Sequence, residues 1–248
     1  MTGEPHRSDD DPPSHALPGI GLDAEQVARF EKLAAGDKPW RHVYSTREAA
    51  HLAAQPQAAR AFCAAFCCKE AFCKALGEFY SFPEFECLFR SGAPEREFVL
   101  APSLKERHGI EEVRVKIDER FLEDRGEFLV EVYLIRPTGS HLESLRVAEV
   151  EADRRRIEEE HFVPGEIEHL GGRRVQSLAG FLALKRALVG LWAAAGAVTP
   201  VVPRDFELGH HASGAPRLVS APGGVNLADV FISISHTRQW AYGLAAGR

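Results

Sequence analysis

Two charged side chains at the end of an apolar helix are the first candidates for chemistry. Residues 58–76 read AARAFCAAFCCKEAFCKAL, and within them Ala61–Cys68 is apolar on every side, which marks a largely buried helix. Glu70 emerges directly from that stretch, beside Lys69 and four residues before Lys74. A carboxylate there is partly desolvated and needs a cation or several hydrogen bonds, because an unpaired buried charge is very costly. Lys69 or Lys74 could be that cation, and a metal ion with a phosphate would satisfy all three groups. Glu70 and Lys74 also read as an ordinary (i, i+4) ion pair, worth about 0.3–0.5 kcal/mol on a wet face.

Further candidates stand near the two ends of the chain. Asp23 and Glu25 are one residue apart in Gly19-Ile20-Gly21-Leu22-Asp23-Ala24-Glu25. Asp23 precedes a helical pattern and has Gln26 three residues on, so it fits an N-cap with a capping box equally well. Ser233-Ile234-Ser235-His236-Thr237 ends a strand-like run. In an ideal strand His236 points with Ile232 and Ile234, opposite Ser233, Ser235 and Thr237. Imidazole and hydroxyls reach one ligand only if the chain bends there; otherwise His236 is structural or merely exposed.

The elements that must position these residues are duplicated. Ser91-Gly92-Ala93-Pro94 recurs as Ser213-Gly214-Ala215-Pro216, after Phe85-Glu86-Cys87-Leu88 in one copy and Phe206-Glu207-Leu208 in the other. Each follows a long apolar helical segment, residues 58–76 and 176–192. Each helix is preceded by an aromatic with Glu four residues later, Tyr44 with Glu48 and Phe162 with Glu166. Earlier still, Val27-Ala28-Arg29-Phe30 echoes Arg154-Arg155-Arg156-Ile157. Alternating strand-like stretches close each copy: 113–117 and 128–135, then 231–235 and 240–245. Five features in one order imply two similar α+β halves, residues 17–140 and 141–248, each a long helix packed on a small antiparallel sheet. Neither half is comfortably large alone, so a shared interface is expected, as in a pseudo-dimer.

Comparing the copies separates chemistry from scaffold. Lys69-Glu70-Ala71-Phe72-Cys73-Lys74 aligns with Lys185-Arg186-Ala187-Leu188-Val189-Gly190, so Glu70 and Lys74 become Arg186 and Gly190. Asp23 aligns with Val150, and Ser235-His236-Thr237 with Lys116-Ile117-Asp118. Each half keeps what the other lacks, as a single composite site at the interface requires.

Bulk properties exclude other classes. A net charge of −6, with 45% hydrophobic and 27% charged residues, fits a soluble globular protein and not one that binds nucleic acid over its whole surface. No uninterrupted apolar run is long enough for a bilayer, and no signal core precedes Pro18; no membrane association is expected. Residues 1–16 are too polar to offset ordering entropy and are expected to be disordered. Cys63, Cys67, Cys68 and Cys73 fall in one apolar stretch, and Cys87 follows, with no Cys-x-x-Cys pair or neighbouring histidine. They read as small buried residues of a cytoplasmic protein, not as zinc ligands.

These residues together resemble the 4′-phosphopantetheinyl transferases, the family that includes holo-acyl-carrier-protein synthase. Gly21-Leu22-Asp23 with Arg29-Phe30 resembles its Gly-x-Asp opening. Residues 66–77 (FCCKEAFCKALG) resemble its second signature, an aromatic before Lys-Glu-(Ala/Ser) and then Lys. Ser233-Ile234-Ser235-His236-Thr237 resembles its Ser-x-Ser-His strand. The resemblance covers nearly all of residues 19–246. It departs after Gly77, where Glu78 and Phe79 replace a second glycine, and it suits two fused copies of the small trimeric synthase.

The resemblance implies the 4′-phosphopantetheinyl transferase fold and a Mg²⁺-dependent transfer of phosphopantetheine from coenzyme A to a serine of an acyl or peptidyl carrier protein. Asp23 and Glu70 would bind Mg²⁺, with Glu25 a third ligand directly or through water. Lys69 and Lys74 would contact coenzyme A, Lys74 at its pyrophosphate. Ser235, His236 and Thr237 would hold its phosphates, and Glu70 or a metal-held water would deprotonate the serine. Carriers are usually acidic, so an enzyme of net charge −6 needs a local basic patch to dock one. The alternative is an inactive relative that binds carrier or coenzyme A without turnover.

Overall fold

The computed structural model describes residues 19–36, 41–78, 81–82, 85–89, 96–100, 102, 106, 116–170, 175–197, 199–211, 213–224 and 226–248. The tail over 1–16, Ser91-Gly92-Ala93-Pro94, Phe79 and the strand start at 113–115 lie outside the described residues. One set of elements runs in the order β1 (Ile20–Gln26), a 3-10 turn (Val27–Phe30), α1 (Glu31–Ala34), α2 (Thr46–Ala53), α3 (Ala58–Leu76), β2 (Phe85–Phe89), β3 (Arg96–Leu100), β4 (Lys116–Leu122) and β5 (Glu127–Tyr133). A second follows with β6 (Gly139–Arg146), α4 (Val147–Ala152), α5 (Arg154–His161), α6 (Pro164–Leu170), α7 (Val175–Ala194), β7 (Glu207–His210), β8 (Pro216–Ser220), β9 (Val230–His236) and β10 (Trp240–Gly247). The strands form antiparallel sheets ordered β1-β5-β4 and β6-β10-β9, with hairpins β2-β3 and β7-β8. The fold is α+β.

Strand register corrects the alignment of the two copies. Gln26 pairs with Glu127, the first residue of β5, as Arg146 pairs with Trp240, the first of β10. Counting back, the counterpart of Asp23, opposite Val130, is Glu143, opposite Gly243. Val150 instead lies on α4 in the second core, where Phe30 lies in the first; Val27–Phe30 therefore matches Val147–Val150 and not Arg154–Ile157. His236 opposite Ala241 matches Phe121 opposite Phe128, so Ser235 corresponds to Arg120 and not Lys116. Alternating strands look alike when slid along each other, and hydrogen bonding alone fixes where they stop.

The long helices pack on the sheets through different glycines. A Cβ on Gly21 of β1 would stand 1.7 Å from the Ala71 carbonyl oxygen, while in the second half one on Gly243 of β10 would stand 2.2 Å from the Leu184 amide nitrogen. Gly21→Ala is therefore expected to lower stability by about 1–3 kcal/mol, measurable by urea unfolding, because α3 must lift off β1. α7 is long and apolar enough by composition to cross a membrane. In this fold its Leu178–Leu184 segment and Leu188 are core residues.

Each helix is tied down by a buried ion pair of the same design. Lys69, fully buried, contacts the Glu48 carboxylate at 2.7 Å and donates to the carbonyls of Val43, Phe82 and Phe85. The other Glu48 oxygen accepts from the Cys87 amide at 2.8 Å. In the second half Lys185 contacts Glu166 at 2.7 Å and donates to the His161 carbonyl, and Glu166 accepts from the Leu208 amide. The ammonium groups lie 5.6 Å from the Tyr44 ring and 4.8 Å from the Phe162 ring. The repeated aromatic-and-Glu spacing marks these two knots.

Between the sheets lies a third core: Ile20, Leu22, Ala24, Leu129 and Tyr133 from the first, with Tyr242, Leu244 and Ala246 from the second. The Arg125 guanidinium stacks on Trp240 at 3.4 Å and donates to the Tyr242 hydroxyl, tying the sheets at one end.

Candidate active site

Strand β1 sends alternate side chains to opposite sides. Ile20, Leu22 and Ala24 enter the core between the sheets, which leaves Gly21, Asp23 and Glu25 on the side of α3. The close approach of Ala71 to Gly21 brings the neighbouring turn of α3, with Glu70 and Lys74, against this face. On the other edge of β1 lies β9. The Leu22 amide donates to Ser233 Oγ at 3.0 Å and the Ala24 amide to Ser235 Oγ at 3.1 Å.

Asp23 is the centre of the cluster and only 6% exposed. Its Oδ1 accepts from Lys74 Nζ at 2.8 Å and from Ser235 Oγ at 2.9 Å, whereas its buried Oδ2 has no hydrogen-bond partner. Lys74 also donates to the Leu22 carbonyl at 2.9 Å and remains one-third exposed. Burial opposes the charge on Lys74, yet Asp23 and Glu70 hold its pKa above the ordinary value. Glu70 is raised to about 7, first by burial and then by the charge of Asp23, with Lys74 opposing and Glu25 adding to the rise.

Glu25 points elsewhere in part. It pairs with Arg29, one turn on, and its pKa is raised by burial and by Asp23 against the pull of Arg29. Among the described residues no three His, Cys, Asp or Glu side chains converge on one point. Asp23 and Glu70 alone still suit Mg²⁺: both offer hard oxygens, Oδ2 is buried and unpartnered, and their mutual repulsion calls for a cation. Mg²⁺ commonly takes one or two carboxylates and completes its shell with water and substrate phosphates.

The remaining expected residues are placed differently. Lys69 is not at this site: its ammonium is enclosed in the first core by Glu48 and three carbonyls, so it has no path to a phosphate. Ser235 turns inward to β1 and Asp23. Thr237 is buried, and its hydroxyl accepts from the amides of Gln239 and Trp240, closing the turn into β10. His236 is exposed on the opposite face of β9. The strand does not bend before Thr237, so hydroxyls and imidazole do not share a direction. Arg29 escaped sequence reasoning as a site residue, although its (i, i+4) spacing from Glu25 signalled it; Ser233 stood in the motif but was assigned no role.

Residues 19–117 match the family model described as the 4′-phosphopantetheinyl transferase superfamily. A comparison with curated proteins found no match. Among solved structures, holo-[acyl-carrier-protein] synthase from Helicobacter pylori, in complex with coenzyme A, is similar at 19% identity and a TM-score of 0.37, covering 44% of this chain and 100% of that one. The synthase from Neisseria meningitidis is similar at 18% identity and a TM-score of 0.37, over 46% of this chain and 99% of that one. The synthase from Bacillus anthracis, in complex with CoA (3′,5′-ADP), is similar at 19% identity and a TM-score of 0.37, over 45% and 96%. The matched stretch, residues 19–117, holds Asp23, Glu25, Glu70 and Lys74, and it is this part of the chain that is similar to the 4′-phosphopantetheinyl transferase superfamily.

Proposed function

We propose that this protein transfers the 4′-phosphopantetheine group of coenzyme A to a serine of an acyl or peptidyl carrier protein, with Mg²⁺ held by Asp23 and Glu70. The observation that carries this reading is the cluster of Asp23, Glu70 and Lys74 in the part of the chain that matches the family. In it Lys74 holds Asp23 Oδ1, the charges of Asp23 and Glu70 act on each other, and the buried Asp23 Oδ2 is unpartnered. The serine Oγ forms a bond to the phosphorus nearest pantetheine. The bond from that phosphorus to the bridging oxygen breaks, and 3′,5′-ADP leaves with that oxygen. Glu70, whose pKa is raised to about 7 in the metal-free protein by burial and by Asp23, is a carboxylate above that pH and can then receive the proton of the serine. Lys74 sits at the mouth of the cluster with a third of its surface exposed, where it neutralises charge on the pyrophosphate as the bond breaks. A bound cation would withdraw charge from the phosphoryl group and orient it.

Incubation with a panel of apo-carriers, coenzyme A and Mg²⁺ is expected to add one phosphopantetheine to a carrier, read by intact mass. Fatty-acid, polyketide and peptide carriers that all stay unmodified would overturn the proposal. Calorimetric binding of coenzyme A, indifferent to Mg²⁺ and to Glu70→Ala, would then identify a binding module in its place.

A further inference from the structure

The outer edge of β1 is satisfied in an unusual way. Its inner edge pairs with β5 through the backbone. On the outer edge the amides of Leu22 and Ala24 donate to the hydroxyls of Ser233 and Ser235 and to no backbone carbonyl of β9. Alternate residues of a strand repeat at about 7 Å, so two serines at i and i+2 match two alternate amides of the neighbouring strand. Both serines are at most 5% exposed, and an unmet amide there would be costly.

The two serines differ in one respect. A hydroxyl has a single proton to give. Ser235 accepts from the Ala24 amide and gives its proton to Asp23 Oδ1. Ser233 makes the amide contact alone among the described bonds. We infer that Ser235 is a positioning residue for Asp23: from the second half of the chain it pins Oδ1, so that the carboxylate presents Oδ2 alone to the cation. This rests on the metal reading proposed above.

The alternative anchor, Lys74, cannot do this throughout the reaction. It shares Oδ1 with Ser235 but is one-third exposed and carries the charge a pyrophosphate would draw away. Ser235 is neutral, buried and fixed by the β1 backbone, so it holds the carboxylate whichever way Lys74 turns. Ligation by Asp23 would be through a single oxygen, and the second half would contribute to the metal site without supplying a ligand. Loss of a partner that orients a ligand commonly weakens metal binding by 10–100-fold.

The test uses the full chain with Mn²⁺ as probe and no coenzyme A, free Mn²⁺ being read by electron paramagnetic resonance. Ser233→Ala and Ser235→Ala each remove one amide acceptor and are expected to lower Tm by similar amounts. Ser235→Ala is expected to weaken Mn²⁺ binding by about tenfold or more, whereas Ser233→Ala leaves it at the wild-type value. Equal affinities in the two variants, whether both retained or both reduced, would make Ser235 a structural residue only. Should Ser235→Ala fail to fold, Ser235→Cys, of similar size with a weak donor, carries the same expectation. A wild-type chain that takes up no Mn²⁺ removes the metal reading itself, and this inference with it.

Discussion

Glu70→Gln is expected to reduce carrier modification by about 10³-fold, at the upper end of losses for removal of one preorganised electrostatic group. The substitution keeps the shape of the side chain while deleting a ligand charge and a proton acceptor. Its effect on stability runs the other way. The Glu70 pKa is raised from 4.5 to about 7 in the folded, metal-free protein, so the native state keeps a proton that the unfolded chain has lost between those values. Stability is therefore fully present below about pH 4.5 and declines as the pH rises through 7. At pH 8 in a chelator, Glu70→Gln should be the more stable protein by up to about 3 kcal/mol, a gap that closes by pH 4.5. Urea unfolding at both pH values measures it. A variant no more stable than wild type at pH 8 would show that Glu70 is not strained by burial and its acidic neighbours. Added Mg²⁺ should stabilise wild type and leave the variant unchanged.

Lys69→Met is expected to cost about 3–5 kcal/mol, a large share of the stability of a typical domain. The substitution leaves the Glu48 carboxylate, 0% exposed, without its cation, and three carbonyls without their donor. Burial already pushes the Lys69 pKa down and that of Glu48 up, each held back by the other. Neutralising the orphaned acid in Lys69→Met/Glu48→Gln should recover part of the loss, since the amide oxygen of the new side chain can still accept from the Cys87 amide. Lys185→Met is a control built into the fold: it breaks the corresponding pair with Glu166 and should destabilise comparably. A lysine that held coenzyme A would behave otherwise, raising KM for coenzyme A while Tm stayed constant. Calorimetric unfolding and a coenzyme A titration separate the two cases.

The two knots explain why the duplication is visible in the chain at all. A buried lysine on a long helix needs a carboxylate, and that carboxylate must sit one helical turn after an aromatic that shields the ammonium. Spacings so constrained persist where the surface between them has changed. Glu70 was legible for a related reason: a charge at the end of a helix apolar on all sides has few places to go. The α+β class followed from helix-period and strand-period patterns repeating in the same order.

What the sequence determined by itself was thus the duplication, the burial of α3 and the identity of the acidic and basic groups near β1. Register was left to the tertiary structure. Periodicity assigns a side chain to a face but does not say where one strand stops against another, and so Asp23 was matched to Val150 when its counterpart is Glu143. The destination of each polar group was also decided by packing. Lys69 went to the core and Lys74 to Asp23, although both flank Glu70 on one helix. Ser235 turned its hydroxyl to a carboxylate 212 residues away. Such contacts join residues on strands distant in sequence, and only the docking of β9 against the open edge of β1 brings them within reach of each other.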